Sequence, residues 1–156
     1  MLTLLNPRHA EHAGRQEMFR GRLVASHESP ARLEHVLAEL RRRPLGELRE
    51  PALDETALMP AVRAVHEPRY LDFLRTAWDD WVALDPANAD LDALPSVWPL
   101  PNRHGFRQDG WPDNIAARLG QFAFDSGTPL TAGSWRAALG GAACALAAAQ
   151  AVLAGE

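Results

Sequence analysis

Helical patterns outnumber strand patterns along this 156-residue chain, and this imbalance most limits what it can fold into. Only residues 2–5 and 48–53 form the short apolar runs that are typical of buried strands, and Pro51 interrupts the second run because proline cannot donate a ladder hydrogen bond. Since a parallel α/β fold normally alternates strand and helix, we expect one or two strands of such a sheet and an incomplete alternation.

The clearest helix is predicted after Ser29, which can act as the N-cap, with Pro30 as the first helical residue. Its apolar side chains recur at i, i+3, i+4 and i+7, on one face of a helix: Leu33, Val36, Leu37 and Leu40. Pro44 is expected to end this helix, because proline removes a backbone donor and clashes with the preceding turn.

Further helices are predicted over residues 60–66, 67–84 and 113–124, and a last one is capped by Ser134. Residues 137–154 form a run long enough to suggest a membrane span. Alanine and glycine dominate this run and Gln150 lies inside it, so it is too weakly apolar to partition well into lipid. We therefore predict a buried helix in a cytoplasmic protein, with no membrane contact.

Residues 86–112 are rich in proline, asparagine and aspartate, and they read as a long loop. The loop carries Trp98, Phe106 and Trp111. Large aromatic side chains normally occupy a pocket or a partner surface, so we expect this segment to have a function rather than to be a simple linker.

Composition excludes several classes of protein. The formal net charge is −4, and Arg41–Arg43 is the only basic run, so a general nucleic-acid binder is not expected. The single cysteine, Cys144, excludes an intrachain disulfide framework, and its alanine-rich surroundings predict a small buried apolar residue. No charged segment followed by an apolar one opens the chain, so no secretory signal is expected.

His9, His12 and Glu17 form the only local cluster of potential metal ligands. The spacing is shorter than in a His-Glu-x-x-His helix, which places two imidazoles on one face, so a hydrogen-bonded loop pair competes with a metal site and is favoured. The serines at 126 and 134 lack the pattern of a nucleophile elbow, and the acids at 79, 80 and 113 fit a solvated helix face. From these residues we expect no complete catalytic site and no metal site.

Several segments in order resemble histone-deacetylase-like proteins. Residues 27–32 (His-Glu-Ser-Pro-Ala-Arg) resemble their Glu-x-Pro-x-Arg segment, and residues 65–74 (Val-His-Glu-Pro-Arg-Tyr-Leu-Asp-Phe-Leu) resemble Val-His-Asp-x-x-Tyr-(Leu/Val)-x-Phe-Leu. The acetylpolyamine amidohydrolase branch is indicated by residues 76–81 (Thr-Ala-Trp-Asp-Asp-Trp), 96–99 (Ser-Val-Trp-Pro), 121–130 (Gln-Phe-Ala-Phe-Asp-Ser-Gly-Thr-Pro-Leu) and 133–135 (Gly-Ser-Trp).

The resemblance implies an arginase/deacetylase-type α/β fold with a parallel sheet, of which residues 1–156 would be the helix-rich N-terminal portion of a single domain. It implies a zinc-dependent hydrolase that deacetylates acetylpolyamines or similar acylated amines, with zinc polarising the amide carbonyl. Segment 86–112 would build a homodimer contact and narrow the substrate channel. Glu17 would lie near the channel mouth and bind the cationic amine. The competing interpretation is an ordinary exposed glutamate.

The resemblance also places the zinc ligands and the catalytic tyrosine beyond Glu156, and Tyr70 is the only tyrosine present. We therefore expect no zinc and no catalytic residue in this chain alone. Ala116 and Gly127 occupy places where some polyamine-specific relatives carry acids. The leading hypothesis is an inactive enzyme portion with exposed apolar surface on its last helix. The alternatives are a non-catalytic interaction or dimerisation protein and a split enzyme completed by a second chain.

Overall fold

The computed structural model describes residues 1–98, 112–123 and 125–156, which fall into two units. The first unit comprises Met1–Ala13, Glu28–Leu71 and Gly133–Glu156, and the second comprises Gly14–His27 and Asp72–Ala132. In chain order the strands and helices are β1 (Thr3–Leu4), β2 (Gln16–Phe19), β3 (Arg22–Ala25), α1 (Ala31–Arg42), β4 (Leu48–Arg49), α2 (Glu55–Val65), α3 (Pro68–Leu84), α4 (Ile115–Gln121) and α5 (Ser134–Ala154).

The two predicted strands form a parallel pair in the first unit, where Thr3 lies opposite Leu48 and Leu4 lies opposite Arg49. Both positions are confirmed, although each strand is only two residues long. Strand β4 ends ahead of Pro51, whose nitrogen cannot donate to a ladder. The pair is the parallel element that the α/β expectation requires.

The helix predicted after Ser29 is present as α1, and it ends at Arg42, shortly before Pro44. It buries less of its apolar stripe than expected. Leu37 is buried, whereas Val36 is 52% exposed. The periodicity therefore identified the helix correctly and overstated how much of the stripe is covered.

Helix α2 begins at Glu55, five residues before the predicted start at Pro60. The Asp54 carboxylate caps it, because Oδ1 accepts hydrogen bonds from the amides of Thr56 (2.9 Å) and Ala57 (3.3 Å). Such a cap satisfies amides that have no partner within the helix. The predicted start at Pro60 is wrong, because Asp54 caps the helix before Glu55 and Pro60 is accommodated inside it.

The core of the first unit lies where α2 packs against α5. Its buried members are Leu58, Met59, Val62, Leu71 and Ala143, and Tyr70, Trp135, Leu139, Ala142 and Leu146 pack around them. Removal of these apolar side chains from water is the main favourable contribution to the stability of this unit.

The prediction of a buried last helix is wrong for most of its length. Helix α5 buries Ser134, Ala137, Gly140 and Ala143, which recur every three residues. Only 17% of its most apolar 18-residue stretch is buried, and Leu153 is 88% exposed. The exposed apolar surface expected on this helix is therefore present. By length and composition alone α5 could cross a membrane, a test that the core helices of soluble proteins also pass.

In the second unit the long helix α3 ends at Leu84, as predicted from Asp85-Pro86. Helix α4 lies within the predicted 113–124 but is shorter, at seven residues. Within the second unit, which begins at Asp72, these two helices contribute the buried apolar side chains Phe73, Ala77, Ile115 and Leu119.

Segment 86–112 is not structureless where it is described. Pro86–Asp90 forms a short 3₁₀ helix, and Ala93 makes an isolated antiparallel bridge with Leu130. Trp98 is 43% exposed. Phe106 and Trp111, the other two aromatic residues singled out in this segment, lie outside the described residues.

Candidate functional site

A β-hairpin in the second unit places the predicted substrate-binding residue. Strands β2 and β3 pair antiparallel with Phe19 opposite Arg22, so Arg20 and Gly21 form a two-residue turn. Both have positive φ, 51° and 77°, the conformation that a type I′ hairpin turn requires. The sequence did not predict this hairpin, since Arg-Gly lacks the asparagine or aspartate that normally marks such a turn.

Glu17 is buried on this hairpin, with 8% of its surface exposed. Its Oε2 accepts hydrogen bonds from the amide of His27 (3.1 Å) and, at a longer distance, from the hydroxyl of Ser26 (3.4 Å). Its Oε1 accepts no hydrogen bond from the described residues. Glu17 is therefore not an exposed residue. A carboxylate with one oxygen fixed by hydrogen bonds and the other accepting none from the described residues is suited to bind a cation.

The side chains beside Glu17 combine aromatic and cationic groups. His27 Nε2 lies 3.9 Å from Glu17 Oε1, and the His27 side chain is 72% exposed. The ring of Phe19 meets the His27 ring edge-on, with 6.2 Å between centroids. The guanidinium of Arg20 lies 5.1 Å from the centroid of the Phe19 ring, within cation–π distance. The hairpin thus presents an acid next to an aromatic face.

Asp92 anchors the start of β2, a role that the sequence did not reveal. Its Oδ2 accepts hydrogen bonds from the amides of Arg15 (2.5 Å) and Gln16 (2.9 Å), and its Oδ1 pairs with Arg15 Nε at 3.2 Å. The Asp92 side chain is only 2% exposed. It lies 75 residues from Glu17 in the chain, so no local pattern could have identified it as the residue that positions this strand.

The histidines of the predicted local cluster serve packing in the first unit. His9 Nδ1 donates to the Asn6 carbonyl (3.0 Å), and His12 Nδ1 is hydrogen-bonded to Ser134 Oγ (2.8 Å). Ser134 is buried at the start of α5. Glu17 belongs to the second unit. The interpretation as a hydrogen-bonded loop pair is therefore supported, and Ser134 acts as its partner rather than as a nucleophile.

The residues of the described part do not fit a zinc ion. No group of three or more histidine, cysteine, aspartate or glutamate side chains is arranged to hold a metal within residues 1–98, 112–123 and 125–156. A structural zinc site needs four ligands and a catalytic one needs three from the protein. His104 lies outside the described residues.

None of the other acids singled out in the sequence, nor Cys144, has the surroundings of a reactive group in the described residues. Asp80 pairs with Arg118, with 3.1 Å between Oδ2 and Nη2, and accepts a hydrogen bond from Thr76. Partial burial raises the pKa of the Cys144 thiol, which disfavours the thiolate needed for reactivity. Asp79 and Asp113 are exposed, as the solvated-face interpretation predicted.

Glu11 connects the turn that follows β1 to the last helix. It pairs with Arg8 (2.7 Å) and with Arg136 at the start of α5. The hydrogen bonds from Arg8 and then Arg136 hold the pKa of the Glu11 carboxyl below its ordinary value. The ionised form is thereby favoured, so the contribution of these pairs is present at neutral pH and lost as the pH falls through that lowered pKa.

Comparison with known proteins places these features in one family. Residues 26–156 match the Histone deacetylase domain family. The chain is 39% identical over 146 residues to acetylpolyamine amidohydrolase 2 of Pseudomonas aeruginosa and 30% identical over 156 residues to acetylpolyamine amidohydrolase of Mycoplana ramosa. These alignments cover 94% and 100% of this chain but 40% and 43% of those relatives.

A solved structure shows the same relationship in three dimensions. The crystal structure of acetylpolyamine aminohydrolase from Burkholderia pseudomallei superposes with a TM-score of 0.80 at 29% identity, covering 100% of this chain and 42% of that one. The arginase/deacetylase-type α/β fold implied by the resemblance is confirmed, and the chain spans about two fifths of the length of its relatives. From this shared fold and the match over residues 26–156, the chain belongs to the histone deacetylase domain family.

Proposed function

We propose that this chain is the portion of an acetylpolyamine amidohydrolase that receives the cationic end of the substrate. The observation that carries this proposal is the Glu17 carboxylate, which is buried, fixed through Oε2, and uncommitted at Oε1. The substrate class follows from the relatives, which are acetylpolyamine amidohydrolases. An acylated amine of this class has a neutral amide at one end and an ammonium group at the other.

The hairpin explains why Glu17 would hold an ammonium group well. A carboxylate that is already desolvated loses little water when it pairs, and charge-assisted hydrogen bonds are the stronger ones. Because Asp92 holds the start of β2, the carboxylate stays in place and little conformational freedom is lost on binding. Glu17 would thus orient the substrate, while the amide is cleaved elsewhere in the complete enzyme.

The chain by itself is proposed to be inactive. The zinc ion of the family mechanism would polarise the amide carbonyl, and the described residues offer no ligand set for it. Ala116 and Gly127 carry no charge at places where some polyamine-specific relatives carry acids, so we include similar acylated amines beside acetylpolyamines. We further propose a cytoplasmic location without nucleic-acid or membrane partners, which the formal net charge of −4 supports for nucleic acid.

Replacing Glu17 by glutamine is expected to weaken the binding of N-acetylputrescine about tenfold, the typical effect of losing a hydrogen bond to a charged group. N-Pentylacetamide has a methyl group in place of the ammonium and should bind both proteins equally and weakly. Binding is measured by NMR titration of the backbone amides. Asp79→Asn, which neutralises an exposed acid on α3, is the matched control and should not change either affinity.

Two results would contradict the proposal. Equal affinity of the wild-type chain for the charged and the neutral probe would remove Glu17 from amine recognition. Release of acetate from N-acetylputrescine by the purified chain, accompanied by stoichiometric zinc, would overturn the claim that the chain is inactive alone.

The alternative function is a non-catalytic interaction protein that forms a homodimer through segment 86–112. The exposed indole of Trp98 favours it, since large exposed aromatic residues are enriched at interfaces. We expect Trp98→Ala to weaken dimerisation at least tenfold, measured by sedimentation equilibrium. Leu153→Ser on α5 is the control, because it removes an exposed apolar group elsewhere. A dimer sensitive only to Leu153→Ser would instead place the contact on α5.

A further inference from the structure

We propose that His27 controls the proposed amine site by competing, in its protonated form, for the same carboxylate oxygen. This inference rests on the proposed role of Glu17 and adds a specificity-determining residue to it. It starts from the position of the His27 ring, whose Nε2 lies 3.9 Å from Glu17 Oε1. Oε2 is already engaged by the His27 amide and the Ser26 hydroxyl, so Oε1 is the oxygen that a cation must use.

The distance between the two side chains is what makes the control depend on protonation. At 3.9 Å the neutral imidazole makes no hydrogen bond to Oε1, because hydrogen bonds between nitrogen and oxygen span about 2.7–3.2 Å. The imidazolium is attracted to the carboxylate at this distance. The protonated ring therefore competes for Oε1, and the neutral ring does not.

The surroundings of His27 leave its ring able to move. Its side chain is 72% exposed and lies near the Glu17 carboxylate and the Phe19 ring. The Arg20 guanidinium lies over the same Phe19 ring. With the imidazole neutral, Oε1 is left to the ammonium group of the substrate.

The test is the affinity of the full chain for N-acetylputrescine at pH 5.5 and pH 8.0, followed by NMR. For the wild-type chain we expect affinity to be about two- to fivefold higher at pH 8.0, the size of effect that one exposed ion pair produces. His27→Gln keeps the backbone amide that Glu17 accepts from and removes the titrating ring. Its affinity should be the same at both pH values and at least equal to that of the wild-type chain at pH 8.0.

A pH dependence that persists in His27→Gln would overturn the proposal, because protonation of the carboxylate itself would then explain it. A wild-type affinity that is equal at both pH values, with a clear preference for N-acetylputrescine over N-pentylacetamide, would overturn the role of His27 and leave that of Glu17 standing. No preference between the two probes at either pH would overturn both.

Discussion

Replacing Phe73 by alanine is expected to lower the free energy of unfolding by about 3–5 kcal/mol, the usual cost of truncating a buried aromatic residue. Phe73 is 4% exposed and stacks on Phe122, with 4.7 Å between ring centroids. The substitution removes both the apolar burial and the ring contact and leaves a cavity between α3 and the end of α4. Urea unfolding followed by tryptophan fluorescence measures the change.

Phe19→Ala provides the matched control, because that ring is 49% exposed on the hairpin turn. It should cost less than about 1 kcal/mol, as surface substitutions normally do. A loss below about 1 kcal/mol for Phe73→Ala would mean that the second unit is stabilised elsewhere. Phe73 lies in the Val-His-Glu-Pro-Arg-Tyr-Leu-Asp-Phe-Leu segment that carried the family resemblance. Much of that motif therefore reflects packing rather than catalysis, since Leu71 is also buried.

Apolar periodicity, proline positions and short apolar runs predicted the helices and strands whose formation depends on neighbouring residues in the chain. Helices α1 and α3 were located because their apolar side chains recur at helical spacing and because proline follows each of them. The two parallel strands were located as short apolar runs. The start of α2 was missed although its signal was present, since Asp54 is a strong capping residue that precedes the first helical positions.

The hairpin could not be predicted from the alternation of apolar and polar residues, because in β2 a charged residue is buried and apolar residues are exposed. A half-buried strand normally alternates apolar residues inside with polar residues outside. In β2 the charged Glu17 is the buried residue, while Met18 and Phe19 are exposed. A carboxylate placed inward against the apolar pattern means that hydrophobic alternation does not reveal this strand. The same arrangement places a buried carboxylate on the hairpin.

The candidate site itself was only partly accessible from the sequence. The resemblance singled out Glu17, but not the groups that hold and contact its carboxylate. His27 and Ser26 lie next to Glu17 only because the Arg20–Gly21 turn folds β3 back onto β2. Asp92 reaches the same strand across more than seventy residues. Contacts of this kind depend on the completed fold, and no spacing rule in one sequence encodes them.

Gly140 and Gly141 offer a second large prediction, because two adjacent glycines in α5 should respond to alanine in opposite directions. A Cβ at Gly140 would overlap Asn6 Oδ1 and lie 2.7 Å from Asn6 Cγ. At Gly141 it would meet no atom within 4 Å. Because alanine is the better helix former, Gly141→Ala is expected to stabilise the chain by about 0.5–1 kcal/mol.

Gly140→Ala is expected to destabilise the chain by about 2–3 kcal/mol, because Asn6 cannot move aside without losing its bonds. Its Nδ2 donates to the Ala137 carbonyl (2.9 Å), and its Oδ1 accepts from the Arg8 amide (2.8 Å). The bond to Ala137 connects the segment that follows β1 to α5 within the first unit, and the bond from Arg8 fixes the Asn6 side chain locally. Of the two glycines, only Gly140 lies in close contact with another residue.

A double-mutant cycle separates this steric cause from a general intolerance of α5 to substitution. With Asn6→Ala the obstructing side-chain atoms are absent, so adding Gly140→Ala to that background should stabilise the chain about as much as Gly141→Ala does. Thermal unfolding followed by circular dichroism measures all four variants. A destabilisation by Gly140→Ala that is unchanged in the Asn6→Ala background would show that Asn6 is not the obstacle. If the cycle closes as expected, a single amide side chain between β1 and α5 explains why Gly140 cannot carry a side chain while its neighbour can.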